Sequence, residues 1–473
     1  MSNFPYKFPP MDHQRKALIR ARDKTSFALL HSMGTGKTFT TINLAAYRYR
    51  AKQIKAVLVI CPTAIKSVWV KEIAQMSPSP TDVYVYSSGD KGLEKWLNKE
   101  VAALKYLIVG VEALSRGSAV NDSMVFAKRY QKAGFLIVAD ESSKLKTPKA
   151  GRTKNACKLS AKADYKMILT GTPVTQGMQD LYAQYNFLDP EILGCKSYMV
   201  FRARYCVMGG FEDRDIVGYK DVDELLELLQ PYTDLVEAKD VLDLPERTFS
   251  RLHVQPTRQQ VEAMESLKTL FEAESGGDIL STSTVLERMT RFQQIIGGNF
   301  PYDDVVNGGY LTKPIAGKNP MLEALMDSID TLSVDAKVII WARFRPEIAL
   351  IVARLAASYG PEAIVEFHGG VSESQRGDAI DRFQSSTGAR FFVVNQATGS
   401  MGLTLTAATV AYYYSNTFSY EERIQSEKRN YRKGQVKHCH YIDIEMDVFE
   451  DRMILHAIEK KESLASIVTQ KFK

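Results

Sequence analysis

The stretch LLHSMGTGKTFTTINLA, residues 29–45, decides the fold of the N-terminal half of the chain. An apolar run, SFALLHS, leads into the glycine-punctuated turn MGTGKT, and the amphipathic pattern TFTTINLAAYRYR follows. A strand, a glycine loop and a helix in this order form a phosphate cradle, because loop amides and the positive end of the helix dipole point at one spot. The full phosphate-loop pattern has glycine where this chain has His31, so the motif alone is suggestive and needs support from its surroundings.

Short apolar runs recur in both halves of the chain. Runs that are apolar throughout and separated by helix-sized segments are typical of parallel strands between two helical layers. They are SFALLHS, AVLVICP, YLIVG, FLIVAD and YKMILTG in the first half, and AKVIIWAR, AIVEFHG, ARFFVVNQ, TVAYYYSN and HCHYIDIE in the second. The sequence therefore predicts an α/β protein with two tandem lobes, each a parallel sheet flanked by helices.

The stretch between the two sets of runs, about residues 191–320, has a mostly helical pattern, as in VDELLELLQPY and TRQQVEAMESLKTLFEA. We place the domain boundary near Leu244, because Pro245 interrupts the helical pattern there. The predicted N-terminal lobe is residues 1–244, with a helical extension over 191–244. The predicted C-terminal lobe is residues 245–473, with a helical insertion over 255–320 and a C-terminal helix.

Length and composition indicate an ordinary globular protein. A chain of 473 residues is too long for one core, and contents of 45% hydrophobic and 25% charged residues are average. The N-terminus lacks the features of a secretory signal and no apolar run is long enough to cross a bilayer, so we expect no membrane partner. We predict a cytoplasmic location, in a bacterium or a virus-infected host, and leave the nucleus open.

The net charge and the spacing of the cysteines exclude few classes of function. The balance of 61 Lys and Arg against 55 Asp and Glu gives a net charge of +6, which permits a polyanionic partner without requiring one. The five cysteines are widely scattered and lack paired metal-ligand spacing, so we expect free thiols rather than a zinc site.

Two adjacent carboxylates support a nucleotide site. Asp140 and Glu141 end the run FLIVAD, and ligands of parallel sheets bind at the carboxyl ends of strands. We expect Lys37 to neutralise β- and γ-phosphate oxygens, Thr38 and Asp140 to hold Mg²⁺, and Glu141 to activate the attacking water. A solvated acidic strand end would be the better interpretation of the pair without the phosphate loop.

Weaker signals fit the same site. Gln14 precedes the first strand, where its amide could read an adenine edge. Thr170 and Thr172 follow another strand, where their hydroxyls could sense the γ-phosphate and couple its state to the rest of the protein. Each of these features also has a common structural explanation, because glutamines often start helices and Thr-Gly-Thr-Pro often forms turns.

The order of motifs resembles that of the Swi/Snf-type DNA-dependent ATPases, a family of superfamily-two helicases. The match covers nearly the whole chain, and its most specific part is QSEKRNYRKGQ, which keeps the spacing of the family motif. The residues that carry it are Gln14, MGTGKT (33–38), VICPTAIKSVWVKEI (59–73), DESSKLKTPKAGRTK (140–154), LTGTPVTQGMQDLYAQYNFLDP (169–190), KVIIWARF (337–344), TGSMGLTLTAA (398–408) and QSEKRNYRKGQ (425–435).

This resemblance implies two RecA-like lobes with ATP and Mg²⁺ as cofactors. It implies that Arg429 and Arg432 reach the transferring phosphoryl group, with Gln425 beside them as a catalytic residue. It also implies that Gly34 and Gly36 in the first lobe and Gly402 in the second contact the nucleotide. Without a phosphate loop, an arginine-rich helix would be read as a solvated face.

The chain departs from the family pattern at three positions. Ser143 stands where the family has histidine in Asp-Glu-Ala-His, so it can form a hydrogen bond but offers no imidazole. Ser400 replaces a usual glycine and Thr404 a usual asparagine. We expect these changes to affect coupling between the lobes more than hydrolysis.

The resemblance implies movement along duplex DNA without strand separation. The candidate contacts are hydroxyls and basic side chains near strand ends, which suit phosphates and read no sequence. They are Lys66, Ser115, Arg116, Arg343, His368 and Thr404. Trp69 could also stack on a base, but its spacing with Ile65, Val68 and Ile73 on a helix favours a place in the core.

The leading hypothesis is therefore a monomeric, ATP-driven translocase on duplex DNA that remodels DNA or protein–DNA complexes, with a targeting protein as a further partner. One alternative is a strand-separating helicase on branched or single-stranded DNA. Another is a nucleic-acid-binding scaffold with a vestigial nucleotide site, against which Glu141 and the two arginines argue. The choice between DNA and RNA stays open, as does the role of the helical middle, which could grip DNA or stabilise the lobes.

Overall fold

The computed structural model describes residues 4–115, 117–210, 214–275, 282–303, 310–370, 373–385, 387–399 and 403–472. The chain divides into two compact units. The N-terminal unit comprises Met1–Leu242 with Lys461–Lys473, and the C-terminal unit comprises Asp243–Lys460. The predicted domain limits, with their boundary at residue 244, stay predictions.

A large parallel sheet forms the centre of the N-terminal unit. The strands of this unit are β1 (Ser26–His31), β2 (Ala56–Cys61), β3 (Thr81–Val85), β4 (Leu104–Gly110), β5 (Phe135–Asp140), β6 (Tyr165–Leu169), β7 (Cys206–Gly209), β8 (Asp215–Tyr219) and β9 (Thr233–Val236). Seven of them form the sheet in the order β3-β4-β2-β5-β6-β1-β9, with neighbours parallel, while β7 and β8 form an antiparallel hairpin. The five apolar runs predicted as strands form β1, β2, β4, β5 and β6, which confirms that prediction.

Helices cover both faces of this sheet. They are α1 (Asp12–Ala21), α2 (Lys37–Arg50), α3 (Lys66–Met76), α4 (Gly92–Asn98), α5 (Ser118–Tyr130), α6 (Gly151–Ser160), α7 (Asp180–Leu188), α8 (Tyr198–Tyr205), α9 (Val222–Leu229) and α10 (Ala238–Val241). Successive strand residues point to opposite faces, so Phe27 and Leu29 pack with α1, α2 and α3. Ala28 and Leu30 pack in the other cluster, with α5, α6 and α7.

The C-terminal unit repeats this architecture. Its strands are β10 (Arg247–Val254), β11 (Asn299–Asp303), β12 (Tyr310–Pro314), β13 (Val338–Ala342), β14 (Ile364–Phe367), β15 (Phe391–Asn395), β16 (Val410–Tyr413) and β17 (Cys439–Met446). Six of them form a parallel sheet in the order β10-β17-β16-β13-β15-β14, and β11 and β12 form an antiparallel hairpin. The five runs predicted for this half form β13 to β17. The predicted fold class, two parallel α/β lobes, is confirmed.

The second sheet is also covered on two faces. The helices of this half are α11 (Arg258–Ser275), α12 (Thr282–Ile296), α13 (Pro320–Asp330), α14 (Arg345–Tyr359), α15 (Glu373–Gln384), α16 (Gln396–Gly399), α17 (Tyr420–Glu427) and α18 (Phe449–Phe472). Ile340 of β13 packs with α13 and α14, whereas Trp341 packs in the cluster that includes Phe383 of α15. Of the helices in the described residues, none is long and apolar enough to span a bilayer.

The stretch over residues 191–320 contains more than the predicted helices. It supplies both hairpins and the edge strands β9 and β10, which pair with β1 and β17 respectively. Its helical pieces include α9, α11 and α12. The short strand TDLV and the polar strand RTFSRLHV lack the unbroken apolar character on which the strand prediction relied.

Candidate nucleotide site

The phosphate loop connects β1 to α2. Gly34 and Gly36 have φ values of +80° and +84°, in the left-handed region that favours glycine. A Cβ atom on Gly36 would lie 2.2 Å from Nε2 of Gln14, so a larger residue would displace that side chain. Helix α2 begins at Lys37, which places its first amide groups against the loop. This geometry is that of an anion-binding helix start.

Gln14 lies against the loop and is buried. Its Nε2 donates to the carbonyl oxygen of Thr35 at 3.0 Å, and its Oε1 accepts from the backbone N–H of Met11 at 3.0 Å. The ring of His13 also lies within hydrogen-bond distance of the Thr35 oxygen, at 2.8 Å. The adenine-reading role of Gln14 stays a prediction, while His13, which the sequence analysis missed, braces the same loop carbonyl.

Lys37 is the first residue of α2 and directly follows Gly36 of the phosphate loop. Its ammonium donates to the carbonyl oxygen of His31 at 2.9 Å. The charge of Lys37 also lowers the pKa of the Asp140 carboxyl, although burial is the larger effect and raises that pKa. Lys37 and Asp140 therefore act on each other electrostatically, although 103 positions separate them in the sequence.

Asp140 ends β5 with both carboxylate oxygens engaged. Oδ1 accepts from the backbone N–H of Glu141 at 2.9 Å, and Oδ2 accepts from Nε1 of Trp69 at 2.8 Å. Trp69 is only 1% exposed and belongs to the core beneath α3. The core interpretation of Trp69 is confirmed, and its indole also orients the predicted magnesium ligand.

Glu141 has a φ of +48°, which is unusual for a residue with a side chain. Such strain costs about 1–3 kcal/mol and gathers at functional sites. The two residues after it, Ser142 and Ser143, are buried, and the Ser142 hydroxyl donates to Oε1 of Gln184 at 2.7 Å. The buried serines therefore hold the turn that carries Glu141 in place, while Glu141 itself is half-buried.

Thr38 meets an acidic side chain that the sequence analysis did not single out. Burial raises the pKa of the Glu72 carboxyl on α3, and the nearby Thr38 side chain lowers that pKa to a smaller extent. The same carboxylate raises the pKa of Asp140 through space. The available signal was spacing, because Glu72 lies three residues after Trp69 on α3 and so shares its face.

The threonine turn after β6 packs against the start of the phosphate loop. The backbone N–H of Thr170 donates to the Leu29 oxygen at 3.2 Å, and the N–H of Thr172 donates to Oγ1 of Thr170 at 3.1 Å. A Cβ on Gly171 would lie 3.2 Å from the His31 oxygen, so the approach is close. The structure brings both threonines to the site, and their coupling role stays a prediction.

His31, the residue in place of the usual glycine, has a buried acidic partner. Its Nε2 lies 2.7 Å from Oδ2 of Asp234, and the guanidinium of Arg20 contacts Oδ1 of the same carboxylate at 2.5 Å. Burial lowers the pKa of His31 and the Asp234 carboxylate opposes that change. Asp234 belongs to β9, so an edge strand from residues after 191 supports the start of the loop.

The C-terminal unit brings its own predicted residues together. Nε of Arg429 donates to the Gln425 oxygen at 2.8 Å, and Nη1 donates to the Leu403 oxygen at 3.3 Å. Nη1 of Arg432 donates to the same Leu403 oxygen at 3.2 Å and to Oγ1 of Thr404 at 2.9 Å. Both predicted arginines therefore donate to the same backbone carbonyl, that of Leu403. The predicted nucleotide contact Gly402 and the departure Ser400 lie outside the described residues.

A buried ionic network fixes α17, which carries Gln425. Arg423 makes two hydrogen bonds to the Asp443 carboxylate, one of 2.5 Å and one of 2.9 Å, and its Nε donates to Glu427 at 2.9 Å. Its guanidinium carbon lies 3.5 Å from the ring centroid of Tyr413. Removing one partner of such a pair would leave a buried charge uncompensated, so this network stabilises the contact of α17 with β17.

Two of the predicted nucleic-acid contacts of the N-terminal unit, Lys66 and Ser115, come after the neighbouring strands β2 and β4. The Lys66 ammonium donates to the Tyr86 oxygen at 2.9 Å. Ser115 is exposed at the end of a 3₁₀ helix that follows β4. Arg116 lies outside the described residues. The nucleic-acid role of these residues stays a prediction.

In the C-terminal unit, Arg343 follows β13 and contacts side chains from two other segments of the chain. Its guanidinium hydrogen-bonds to Gln293 and lies 5.6 Å from the ring centroid of Phe418, and burial lowers its pKa. His368 follows β14, and its Nδ1 accepts from the Gly370 N–H at 3.0 Å. Thr404, as noted, accepts a hydrogen bond from Arg432. A nucleic-acid role for these three residues also stays a prediction.

The residues of the N-terminal unit fit a magnesium nucleotide. Magnesium in such sites takes oxygen ligands from one or two side chains and from the phosphates, so a dense ligand cluster is not needed. In the described part of the chain, no group of three or more His, Cys, Asp or Glu side chains is placed to hold a metal ion. Thr38 and Asp140 offer the oxygen atoms that a phosphate-bound magnesium would take, and the glycine loop offers N–H groups that would bind the phosphates.

Two protein families match this chain in succession. The family described as "SNF2-related domain" matches residues 14–298. The family described as "Helicase conserved C-terminal domain" matches residues 318–434. The first match covers more than half of the chain and begins at Gln14, and the second includes Arg429 and Arg432.

Curated relatives are similar over most of this chain. The "ISWI chromatin-remodeling complex ATPase CHR11" of Arabidopsis thaliana is 22% identical over 451 residues, which cover 93% of this chain and 41% of the relative. The "ATP-dependent DNA helicase DDM1" of the same plant is 25% identical over 433 residues, covering 87% and 55%. The chain thus spans about half or less of the length of these relatives.

A solved structure, the "Sulfolobus solfataricus SWI2/SNF2 ATPase core in complex with dsDNA", is 20% identical to this chain. The comparison covers 100% of this chain and 98% of that one, with a TM-score of 0.44.

Proposed function

Because the chain belongs to the SNF2-related family, we propose that it is a DNA-dependent ATPase that converts ATP to ADP and phosphate and uses the reaction to move along duplex DNA. The observation that carries this proposal is the arrangement of Lys37, Thr38 and Asp140. The phosphate loop follows β1 and the carboxylate follows β5, so all three lie at the carboxyl ends of parallel strands, where such sheets bind ligands.

Each residue of the N-terminal site has a distinct part in the proposed reaction. Lys37 and the α2 amide groups bind the β- and γ-phosphates, and Gln14 contacts the adenine. Thr38 and Asp140 hold Mg²⁺, which supplies positive charge to the phosphate oxygens when it is bound. Glu141 orients the attacking water and accepts its proton. Thr170 and Thr172 report the state of the γ-phosphate.

The C-terminal unit contributes the remaining charge in this proposal. Arg429 and Arg432 stabilise the negative charge that develops on the transferring phosphoryl group, where arginine is worth several orders of magnitude in rate. Gln425 and Gly402 complete the set. The support for these roles is that both guanidinium groups donate to the carbonyl oxygen of Leu403, which holds the two side chains beside each other.

We propose duplex DNA as the track because relatives of this chain are named as a chromatin-remodelling ATPase and a DNA helicase. Contacts through Lys66, Ser115, Arg116, Arg343, His368 and Thr404 would go to phosphates, so binding would be sensitive to salt and tolerant of sequence. We also propose that the motor acts as a monomer in the cytoplasm and that a targeting protein is a further partner. The proposed boundary between its two domains lies near residue 244 of the sequence.

Steady-state phosphate release tests this function. The reaction is run with Mg²⁺ and ATP alone, and with blunt duplex DNA, single-stranded DNA or RNA. Glu141→Gln is the inactive variant, and Glu94→Gln, an exposed glutamate on α4, is the matched control. We expect strong stimulation by duplex DNA that Glu141→Gln abolishes and Glu94→Gln preserves.

The other outcomes separate the alternatives. Stimulation by single strands or forks alone, with release of a labelled strand, would favour a strand-separating helicase. DNA binding without turnover would favour a scaffold. Turnover that ignores every nucleic acid would contradict the proposed substrate and leave only an ATPase.

A further inference from the structure

One buried amide, that of Gln184, connects two turns of the nucleotide site. Gln184 lies in α7 and is 0% exposed. Its Oε1 accepts from the Ser142 hydroxyl at 2.7 Å, and its Nε2 donates to the carbonyl oxygen of Pro173 at 2.7 Å. Ser142 directly follows Glu141, and Pro173 directly follows Thr172. The turn after β5 and the turn after β6 are therefore joined through one side chain.

The orientation of this amide is determined by its partners. Nε2 also donates to the carbonyl oxygen of Asp180 at 2.9 Å. Carbonyl oxygens only accept hydrogen bonds, so the NH₂ group must face Pro173 and Asp180, and both of its protons are used. The amide oxygen then faces the Ser142 hydroxyl, which has one proton to donate. The opposite orientation of Gln184 would leave two carbonyl oxygens facing a third oxygen, so only one arrangement satisfies all three partners.

A second set of contacts joins the same two stretches of chain. Lys146, five residues after Glu141, donates to Oγ1 of Thr175 at 2.6 Å. The carboxylate of Asp180, the first residue of α7, accepts from the backbone N–H of Thr175 at 2.8 Å and from its hydroxyl at 2.9 Å. The helix that carries Gln184 is therefore itself held against both stretches.

The backbone of Glu141 gives this support a purpose. Its φ of +48° is a strained conformation for a residue with a side chain, and such strain persists only where the surrounding contacts hold it. The hydrogen bond from Ser142 to Gln184 acts on the very next residue. A general base must lie within hydrogen-bond distance of the water that it activates, so a small rotation of this turn would slow the reaction.

We propose that Gln184 is a positioning residue that holds Glu141 at a fixed distance from Thr170 and Thr172, so that the attacking water and the γ-phosphate are placed relative to each other. This inference rests on the proposed function, because it assumes that Glu141 activates the water and that the threonines meet the γ-phosphate. Gln184 touches neither the water nor the nucleotide in this assignment. It acts on the chemical step and not on the affinity for ADP, because ADP has no γ-phosphate to be placed.

The test compares the affinity for ADP with that for ADP–aluminium fluoride, which mimics the phosphoryl group in the transition state together with its attacking water. Both are measured on the full chain with Mg²⁺ and blunt duplex DNA, by displacement of N-methylanthraniloyl-ADP. We expect Gln184→Leu and Ser142→Ala to weaken binding of the aluminium fluoride complex about tenfold and to leave the affinity for ADP within about twofold. The kcat for ATP should fall by a similar factor, while KM stays unchanged.

Two controls separate positioning from simple destabilisation. Asn186→Ala removes another amide of α7, one that contacts Cys157 instead, and should leave both affinities unchanged. The double variant Ser142→Ala/Gln184→Leu should bind the aluminium fluoride complex no more weakly than Gln184→Leu alone, because both changes break the same hydrogen bond. Thermal unfolding shows which variants are folded, and Ser142→Ala, which breaks that bond alone, carries the test if Gln184→Leu does not fold.

Three results would overturn the inference. They are unchanged binding of the aluminium fluoride complex by folded Ser142→Ala and Gln184→Leu, a parallel loss of affinity for ADP, and a double variant whose loss is the sum of the two single losses.

Failure of the proposed function has a different signature. If the unaltered chain does not bind N-methylanthraniloyl-ADP, the nucleotide site itself is wrong and this inference falls with it. If Glu141→Gln binds the aluminium fluoride complex as tightly as the unaltered chain does, the assignment of Glu141 is wrong. If Glu141→Gln weakens that binding and the Gln184 and Ser142 variants do not, only the positioning role is wrong.

Discussion

His31 and Asp234 form a hydrogen-bonded pair in the interior of the N-terminal unit, with 2.7 Å between Nε2 and Oδ2. The pair joins the start of the phosphate loop to β9, an edge strand more than 200 positions later. Arg20 contacts the same carboxylate but is 46% exposed, so water screens its share. The loop of this chain therefore begins on a buried polar contact rather than on a glycine.

Asp234→Ala should lower the free energy of unfolding of the N-terminal unit by about 2 kcal/mol, because the buried imidazole of His31 loses its hydrogen-bond partner. Asp234→Asn should cost roughly half as much, since an amide oxygen can still accept a hydrogen bond. Urea unfolding followed by tryptophan fluorescence measures both. The control is Asp23→Ala, whose side chain is 74% exposed and whose loss should cost less than about 0.5 kcal/mol. Equal effects of the two alanine variants would contradict a buried pair.

Gly36→Ala should weaken nucleotide binding at least tenfold, because its Cβ would press on Nε2 of Gln14. Both the strained φ and the displaced glutamine disturb the loop. Gly89→Ala is a matched control, because Gly89 has a φ of +83° and no atom within 4 Å of an added Cβ. Both variants should lose about 1 kcal/mol of stability from backbone strain. Calorimetric titration with ADP and Mg²⁺ should find weak binding in Gly36→Ala alone.

Glu347 should make the stability of the C-terminal unit fall as pH rises. It is fully buried, accepts from the Ser415 hydroxyl at 2.6 Å, and burial raises its pKa to about 7. Its pKa in the unfolded chain is near 4.5, so between pH 4.5 and 7 the folded state binds more protons than the unfolded state. The stabilising effect of that proton is present at low pH and is lost as pH passes 7.

Glu347→Gln removes this titration and isolates its effect. The free energy of unfolding of the variant, relative to the unaltered chain, should rise by about 3 kcal/mol between pH 4.5 and pH 8. Glu362→Gln, at a side chain that is 94% exposed, should show no such trend. A difference between Glu347→Gln and the unaltered chain that does not change with pH would contradict the raised pKa.

Arg432→Ala should lower the turnover of ATP by about a thousandfold with little change in stability, because its half-buried side chain makes hydrogen bonds that are easily replaced by water. Arg429→Ala should lose turnover and also about 2 kcal/mol of stability, since the residue is only 2% exposed and its guanidinium donates to the carbonyl oxygens of Gln425 and Leu403. Thermal unfolding and phosphate release, measured on the same samples, separate the two effects. Arg382→Ala, at a surface pair with Glu362, is the control. Full activity in Arg432→Ala would remove that residue from the reaction.

Strands with continuous apolar runs could be predicted from sequence, including β14 at one edge of its sheet, whereas the more polar or shorter edge strands β3, β9 and β10 could not. FLIVAD and AKVIIWAR are continuous apolar runs because both faces of β5 and β13 are covered. By contrast, RTFSRLHV alternates exposed and half-buried residues in β10, and its pairing with β17 depends on partners nearly 200 positions away. No local pattern carries that information.

In the candidate site, too, some residues could be predicted from the sequence and others could not. The phosphate loop and the carboxylate after β5 are local motifs, so their place at one sheet edge follows from the predicted strands. The contact of Trp69 with Asp140 and that of His31 with Asp234 join side chains whose types are common everywhere. Their meaning arises from tertiary packing, which the spacing of residues in the chain does not encode.

The pairing of β9 with β1 has a consequence for how the protein is made. Residues 28–31 hydrogen-bond in register with residues 233–236, so a ribosome must add more than 200 residues after β1 before that strand gains its outer neighbour. Until then the backbone groups that β1 directs toward β9 have no strand partner, and His31 lacks its hydrogen-bond partner Asp234. Nascent chains in such a state are prone to wrong strand pairing. A chain truncated shortly before residue 233 should therefore be insoluble when it is expressed, although it would contain Asp140 and the whole phosphate loop.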